Sequence, residues 1–390
     1  MYVDSFPDSK RKYLSDAHAE TVKATLAPVA DNMQTIASTF YSKMFAAHPE
    51  LISDLFNRGN QKQNAQQKAL AASVVKFAAH LVDDSQPDPV MMLDRIAHKH
   101  VSLGITEDQY QIVHDNLMAA IAETLGDAVT PEVAEAWDAV YWLMADVLVK
   151  HEKELYASDG VADGDVFRRG TVAAKEALTD TVTAFTIEGD FSAPKPGQYT
   201  SIGVKLDDGA RQLRQYSIID GDASHYRIAV QTDGEVSSFL QNRVAVGDTV
   251  DATLAAGDLV LRPGDNPIVL ISSGIGSTPL TGILTHLVKH NDPRRVTYVH
   301  SDSSEATWAQ AQESRDLVAA LNDGSIHPFF RDSGERVDID VIDVAGADVY
   351  LCGGTGFLQS LRDDLAALPD DKAPANVFYE LFSPNDWLVS

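Results

Sequence analysis

Two kinds of residue in this chain have types and spacings suited to chemistry. The first is a set of glycine, serine and arginine positions in the later two thirds of the chain. Gly274-Ile275-Gly276-Ser277-Thr278-Pro279 follows an apolar run and opens a helical pattern. Glycines there let backbone approach a pyrophosphate, and a helix N-terminus offers free N–H groups and positive potential. Pro279 suits a first helical turn, where no amide donor is needed. On its own the motif has two readings, a dinucleotide cradle or a tight strand–helix turn. The usual third glycine is absent. Upstream, Arg214 can hold a phosphate bidentately, Tyr216 can stack on a planar ring, and Ser217 can hydrogen-bond a ring nitrogen. Gly234-Glu235-Val236-Ser237 follows them, and Leu351-Cys352-Gly353-Gly354 and Tyr379-Glu380-Leu381-Phe382-Ser383-Pro384 come later. The second kind is histidine in a helical setting. His98 and His100 point about 200° apart on a helix, so they cannot share a site. Ile96, His100 and Leu103 share a face, which predicts His100 as the inward one.

The elements that must position these residues fall into three stretches. Apolar residues recur every three or four positions from Thr21 to Phe45 (Val22, Leu26, Val29, Met33, Ile36, Phe40, Met44), which predicts a helix with Ser15 as a plausible N-cap. His48-Pro49 interrupts it, and a turn-rich piece ends at Gly59-Asn60. Helical patterning returns over Gln61–Val82, Val90–Leu103 and Tyr110–Leu125, and a last helix starts near Pro131 and runs to about Tyr156. The small, acidic stretch 158–165 reads as a linker. Short β-rich runs follow (Val182–Ile187, Tyr199–Val204, Tyr226–Val230, Thr249–Leu254), suiting a small antiparallel barrel or sandwich. From Pro267 onward strand and helix alternate, which means a parallel sheet. The expected class is multi-domain: an all-α region over 1–157, an antiparallel β-barrel with its linker over 158–265, and an α/β parallel-sheet domain over 266–390.

Composition narrows the options. The 390 residues are 44 % hydrophobic and 23 % charged, which is globular. The 31 basic residues face 57 acidic ones, a net charge of -26 spread along the whole chain. That sign repels nucleic acid and anionic membranes, so neither is expected as a partner. One cysteine, Cys352, excludes an internal disulfide framework and a thiolate zinc cage. No apolar run reaches membrane-spanning length, and the opening residues lack a signal-peptide core, so a cytoplasmic location is expected.

The order of motifs carries a resemblance. Arg-x-Tyr-Ser, Gly-x-x-Ser, GIGSTP, LCGG and the terminal YELFSP run resemble ferredoxin-reductase-like flavoenzymes. Phe40-Tyr41, His48-Pro49 to Phe56, Gln66 with Leu70, Ile96 to His100, Tyr110 and Glu152 resemble the globin portion of bacterial flavohaemoglobins, and the whole order matches that family over almost the full length. The resemblance implies haem b, FAD and NAD(P)H as cofactors. It makes His100 the proximal iron ligand, with Tyr110 and Glu152 as its hydrogen-bonding partners and Tyr41 as the distal hydroxyl. Phe56 would wedge against the porphyrin, while Gln66 and Leu70 would line the distal side. Lys99 and Glu380 match positions near the haem–flavin boundary. Arg214 would bind the FAD pyrophosphate; Gln215 lies between it and Tyr216 and Ser217, which hold the isoalloxazine, and Tyr199 lies against the FAD. Gly234, Val236 and Ser237 would offer amides to phosphates, Gly274 to Pro279 would cradle the nucleotide, and Glu380 to Pro384 would cover the flavin face with Phe382 as a lid. Cys352 would pack near the nicotinamide.

The implied reaction joins NO and O2 into nitrate at haem, with hydride from NAD(P)H divided into single electrons by FAD. No obligatory protein partner is implied. The alternatives are a haem-based alkyl-hydroperoxide or peroxide reductase, and an oxygen-binding or sensing globin with an attached reductase. Departures from the family pattern concern the nucleotide side. Ser383 replaces a usual Gly, Leu381 a frequent Cys and Gly354 a Pro, and Gln231-Thr232-Asp233 replaces a more basic run. Asp302, placed just after the strand VTYVHS, disfavours a 2′-phosphate, so NADH is favoured.

Overall fold

The computed structural model describes residues 14–49, 51, 65–83, 85–86 and 89–382. Phe56, Ser383 and Pro384 lie outside these residues, as does the side chain of Gln66. Chain contacts divide the protein into two compact units, one comprising residues up to Val166 with Lys205–Leu213, the other Phe167–Val204 with Arg214 onward.

The first unit is helical: α1 (Asp16–Ala47), α2 (Ala65–Val82), α3 (Asp94–Val101), α4 (Asp108–Leu125) and α5 (Pro131–Ser158). The Ser15 hydroxyl accepts from the His18 amide at 3.1 Å, the N-cap that the sequence predicts. Thr130 caps α5 in the same way, one residue ahead of Pro131. The periodic residues Val22, Val29, Met33, Ile36, Phe40 and Met44 are buried in one apolar cluster with Phe77, Leu93, Leu117, Trp137 and Val140. The run predicted over Val90–Leu103 is shorter as an α-helix. A 3-10 turn occupies Pro89–Met92, and α3 ends at Val101, ahead of Gly104 with φ 70°. No residue of the acidic stretch 158–165 is buried, and its nearest approach to the helices is at Gly164, where a methyl would stand 2.8 Å from the Thr106 side chain.

In the second unit β1 to β6 close a barrel in the order β1-β2-β5-β4-β3-β6. These strands are Phe167–Ala177, Val182–Glu188, Tyr199–Lys205, Arg211–Gly221, His225–Gln231 and Thr249–Thr253. Sequence patterning finds four of them and passes over β1 and β4. Helix α6 (Glu235–Arg243) lies between β5 and β6. A five-stranded parallel sheet follows, ordered β11-β10-β7-β8-β9, with β7 Ile268–Ser273, β8 Val296–Asp302, β9 Gly324–Phe330, β10 Asp348–Cys352 and β11 Asn376–Glu380. Helices α7 (Ser277–Lys289), α8 (Ala311–Ala320) and α9 (Thr355–Ala366) connect the strands. Separate apolar clusters cover the sheet, one around Leu280, Ile283 and Tyr298, the other around Val349, Leu358 and Leu361. From β7 the chain builds outward to β8 and β9, then returns to β7's other side for β10 and β11. The order therefore reverses between β7 and β10, where open α/β sheets bind ligands at their carboxyl ends.

Candidate functional site

Three helices bring one titratable cluster together. His100 comes from the last turn of α3, Tyr110 from the first turn of α4 and Glu152 from α5. His100 Nδ1 lies 2.7 Å from Glu152 Oε1 and 3.0 Å from the Tyr110 hydroxyl. Tyr110 donates to the same Glu152 oxygen at 2.5 Å. Burial, reinforced by the Glu152 charge, pushes the Tyr110 hydroxyl far above the ordinary phenol value, so Tyr110 keeps its proton and acts as donor. Glu152 is 2 % exposed, a buried carboxylate receiving two donors. The cluster is braced from α5, since Tyr141 donates to the Tyr110 carbonyl and Tyr156 to that of Ile105, each at 2.6 Å.

This arrangement fixes the imidazole's tautomer. With Nδ1–H directed at Glu152, Nε2 is the lone-pair nitrogen, and it makes no hydrogen bond among the described residues. A histidine held at Nδ1 by a carboxylate and free at Nε2 is the form that ligates iron, so the residues fit a haem. His100 presents its Nδ1 edge to Tyr110 and the buried Glu152, while His98 on the same helix faces Asp94, so the two histidines have separate partners, as their spacing predicts. Tyr41 is buried in the same apolar cluster as Tyr110 and Tyr141, edge-on to Phe40 at 4.8 Å, and burial raises its hydroxyl well above the ordinary value. Leu70 packs half-buried on that cluster; Lys99 is half-buried on α3.

On the barrel, β4 carries Arg214, Gln215 and Tyr216 half-buried and Ser217 buried. Gln215 donates to the Ser201 hydroxyl at 3.1 Å. The Tyr216 hydroxyl is buried with no hydrogen-bond partner. Burial pushes it up, Arg214 pulls it down and Asp233 pushes it up again. An orphaned buried phenol beside a guanidinium is costly unless a further polar group completes it, so these residues fit a flavin nucleotide. Tyr199 opens β3, with its ring 3.0 Å from where a methyl on Gly257 (φ +121°) would sit. Gly234 differs from expectation. Its N–H and that of Asp233 both donate to the Ser237 hydroxyl at 2.9 Å, so the Gly234 amide is engaged internally. Val236 and Ser237 stand in the first turn of α6, where N–H groups lack intrahelical acceptors.

The glycine turn lies at the sheet's reversal point. Gly274 has φ +55° and open space at its side-chain position. Gly276 is needed for a different reason, because a methyl there would stand 2.5 Å from the Cys352 carbonyl oxygen. Ile275 packs half-buried toward the barrel near Ile219, and Ser277 and Thr278 are buried. Pro279 is the third residue of α7. Cys352 is fully buried and pairs in register with Glu380, itself 8 % exposed; Leu381 is buried and Phe382 is 51 % exposed. Asp302 is not a loop residue. It ends β8, is buried, and accepts from the Ser303 amide at 2.6 Å and Thr307 at 2.7 Å. Gln310 is missed by motif reading, yet its Oε1 accepts from Ser277 of the glycine turn at 2.5 Å. Nearby Trp308 Nε1 and Gln310 Nε2 are buried and unpartnered. Only tertiary structure unites them, since they fall where no motif stands.

A histidine poised for iron in a helical unit, joined in one chain to a barrel and a parallel sheet with nucleotide-type turns, defines a haem protein with a built-in reductase. Among protein families the globin family matches residues 38–148. The flavohemoprotein of Deinococcus radiodurans is 37 % identical, with 93 % of this chain and 96 % of the relative covered. That of Halalkalibacterium halodurans is 33 % identical over 97 % and 98 %. Among solved structures, a flavohemoglobin from Malassezia yamatoensis with bound FAD and heme is 32 % identical, covers 95 % of this chain and 100 % of its own, and has a TM-score of 0.88. The flavohem-like FAD/NAD binding domain of a nitric oxide dioxygenase from Vibrio cholerae O1 biovar El Tor covers 55 % of this chain and 98 % of its own, at 32 % identity and a TM-score of 0.50. The chain belongs to the flavohemoproteins. Among the described residues, no helix is long and apolar enough to cross a membrane.

Proposed function

We propose that this flavohemoprotein, an oxidoreductase, is a cytoplasmic nitric oxide dioxygenase that converts NO and O2 to nitrate with electrons from NAD(P)H. Residues 1–157 serve haem, 158–265 FAD and 266–390 NAD(P)H. The observation that carries the reading is the His100–Glu152–Tyr110 cluster, which holds one imidazole as an electron-rich iron ligand. When bound, the cofactors supply hydride acceptance, division of the electron pair and reductive activation of oxygen.

The chain's own residues do the rest. Glu152 accepts the His100 Nδ1 proton's hydrogen bond and raises the basicity of Nε2. Tyr110 holds the carboxylate in place, and the un-ionised Tyr41 hydroxyl would be a donor toward a ligand of bound haem. Arg214 pairs with the FAD pyrophosphate, Tyr216 and Ser217 orient the ring, and the amides of Val236 and Ser237 face phosphate. Gly274 to Thr278 receives the nicotinamide nucleotide, with Glu380 and Phe382 beside it. Support for dioxygenation also comes from the likeness to the Vibrio cholerae domain, whose parent protein is named for that activity.

The balance is two NO and two O2 consumed per NAD(P)H, giving two nitrate, NAD(P)+ and one proton. Aerobic NO decay measured with an electrode, alongside NADH oxidation and nitrate formation, tests it. A ratio of two NO per NADH with nitrate as product is expected. Equal NO loss without oxygen, or loss indifferent to NADH, overturns it. Faster turnover of organic hydroperoxide than of NO at the same NADH supply replaces it with the peroxidase reading, which the same electron-donating cluster favours.

A further inference from the structure

The helices that hold His100 and Glu152 together carry a second cluster on another face. Asp94 and His98 are i,i+4 neighbours on α3, and His151 precedes Glu152 on α5. His151 Nε2 lies 2.6 Å from Asp94 Oδ1, and His98 Nε2 lies 3.8 Å from that oxygen. One ligand atom from each residue falls within 4.8 Å of the others. The two rings meet edge-on, with centroids 6.0 Å apart at 88°. Side-chain exposure rises from 5 % at His151 through 13 % at His98 to 36 % at Asp94, so the cluster opens to solvent on the carboxylate side.

We propose that Asp94, His98 and His151 bind a divalent transition-metal ion of the zinc type, at a site separate from the iron ligand. Two imidazoles and one carboxylate are a donor set for zinc-like ions, whereas magnesium and calcium require oxygen ligands. Zinc–ligand bonds of about 2.0–2.1 Å place tetrahedral donors roughly 3.3 Å apart. The separations here straddle that value, so small rotamer shifts complete the site, with water as fourth ligand on the open side. His151 supplies an independent pointer. Its Nδ1 is buried without a hydrogen-bond partner while Glu154 Oε2 stands 3.9 Å away. With a metal at Nε2 the imidazole proton resides on Nδ1 and faces the Glu154 carboxylate, the outer-shell arrangement common to metal-bound histidines. With the proton on Nε2 and bonded to Asp94, Nδ1 stays an acceptor without a donor.

The ion would tie α3 to α5 on one face while the His100–Glu152 hydrogen bond ties them on another. Metal occupancy would therefore stiffen the frame that orients the iron ligand without touching that ligand.

The test uses the full-length holoprotein, stripped of loosely bound ions and dialysed against buffered Zn2+. Metal content and competition with a chelator are compared between the parent, Asp94→Asn and His151→Gln. One more zinc per chain is expected in the parent than in either variant, with affinity falling at least about 100-fold, beyond the loss of a mere outer-shell partner. Zinc-edge absorption of the parent should show two imidazoles in the zinc shell, a readout independent of whether the variants fold. Equal zinc content and affinity in parent and variants, or a zinc shell without two imidazoles, overturns the site. Because no turnover is measured, failure here is distinct from failure of the dioxygenase reading.

Discussion

Gly282 of α7 lies directly against the carbonyl oxygen of Ile218 on β4, so that a methyl at Gly282 would stand 2.5 Å from it. The helix that begins at the glycine turn thus rests on the strand that carries Arg214, Tyr216 and Ser217. The atom in the way is backbone, which no rotamer change can move. Gly282→Ala should cost about 1–3 kcal/mol, as overpacking typically does. Thermal unfolding should report the loss, with weaker FAD retention because the strain falls one residue from Ser217. An unchanged melting temperature would show that the contact relaxes freely.

Removing the partners of His100 should separate position from charge. Tyr110→Phe deletes one donor to Glu152 but leaves the carboxylate bonded to His100 Nδ1. Glu152→Gln keeps an acceptor and removes the charge. Outer partners of metal-bound histidines are worth about 10–100-fold in activity or affinity. NO turnover should fall toward the lower figure in Tyr110→Phe and the upper in Glu152→Gln. The iron–histidine stretching frequency should drop in the same order, which a merely structural role would not produce.

Tyr216 should show opposite effects in the free and loaded states. Its hydroxyl is buried without a partner, so Tyr216→Phe removes an unsatisfied donor and should raise the melting temperature of the flavin-free chain. If Tyr216 takes the flavin role proposed for it, the same change would also delete a hydrogen bond to bound FAD. At about 0.5–1.5 kcal/mol, that weakens FAD roughly 2- to 10-fold. A flavin titration of both proteins checks the pair. Tighter flavin binding in the variant would remove Tyr216 from the site.

Stability should fall on mild acidification because of His300. Its imidazole is fully buried on β8, 2.8 Å from Ser272 Oγ and stacked on Trp308 at 4.4 Å. Burial holds its pKa below the ordinary 6.5, outweighing the Asp302 carboxylate. Once pH drops below about 6.5 the unfolded imidazole binds a proton that the folded one refuses. The unfolded state then holds more protons, so stability declines until the folded value is passed and levels off below it. Although burial pushes Asp302 up, hydrogen bonds from His300, Thr307 and Ser303 hold it below the usual 3.8, so its own loss comes in more acid solution. Melting temperatures at pH 7.5 and 5.5 should differ less in His300→Gln than in the parent.

Legibility in the sequence followed the reach of each signal. The glycine turn was readable because Gly274 and Gly276 obey local rules of backbone and helix start. Helix α1 was readable because its buried residues keep a 3.6 period and Ser15 supplies the cap. Strand β1 was not, since FRRGTVAAKEA is largely exposed and broken by a bulge between Val172 and Ala174. Strand β9 contains Pro328, and α8 buries only Ser314 and Val318, so neither carries a strong pattern. Ile96 and Leu103 place His100 on an inward face by helical spacing, but the carboxylate that fixes its Nδ1, Glu152 of α5, lies 52 positions away and only packing brings it there. Asp94, His98 and His151 illustrate the same limit, since 53 positions separate His98 from His151 and only packing makes them neighbours.

Cys352 gives this chain a reporter that needs no engineering. It is the one thiol among 390 residues, it is fully buried, and its own carbonyl is the atom pressed against Gly276. An alkylating reagent can reach the sulfur only when the end of β10 parts from its neighbours. At reagent levels where reclosing outpaces alkylation, the labelling rate divided by that of a free thiol equals the equilibrium constant for that opening. The measurement therefore reads the local free energy of the nucleotide turn, residue-specifically and in the intact protein. A nucleotide seated on Gly274 to Thr278 would slow the labelling by the factor with which it favours the closed form.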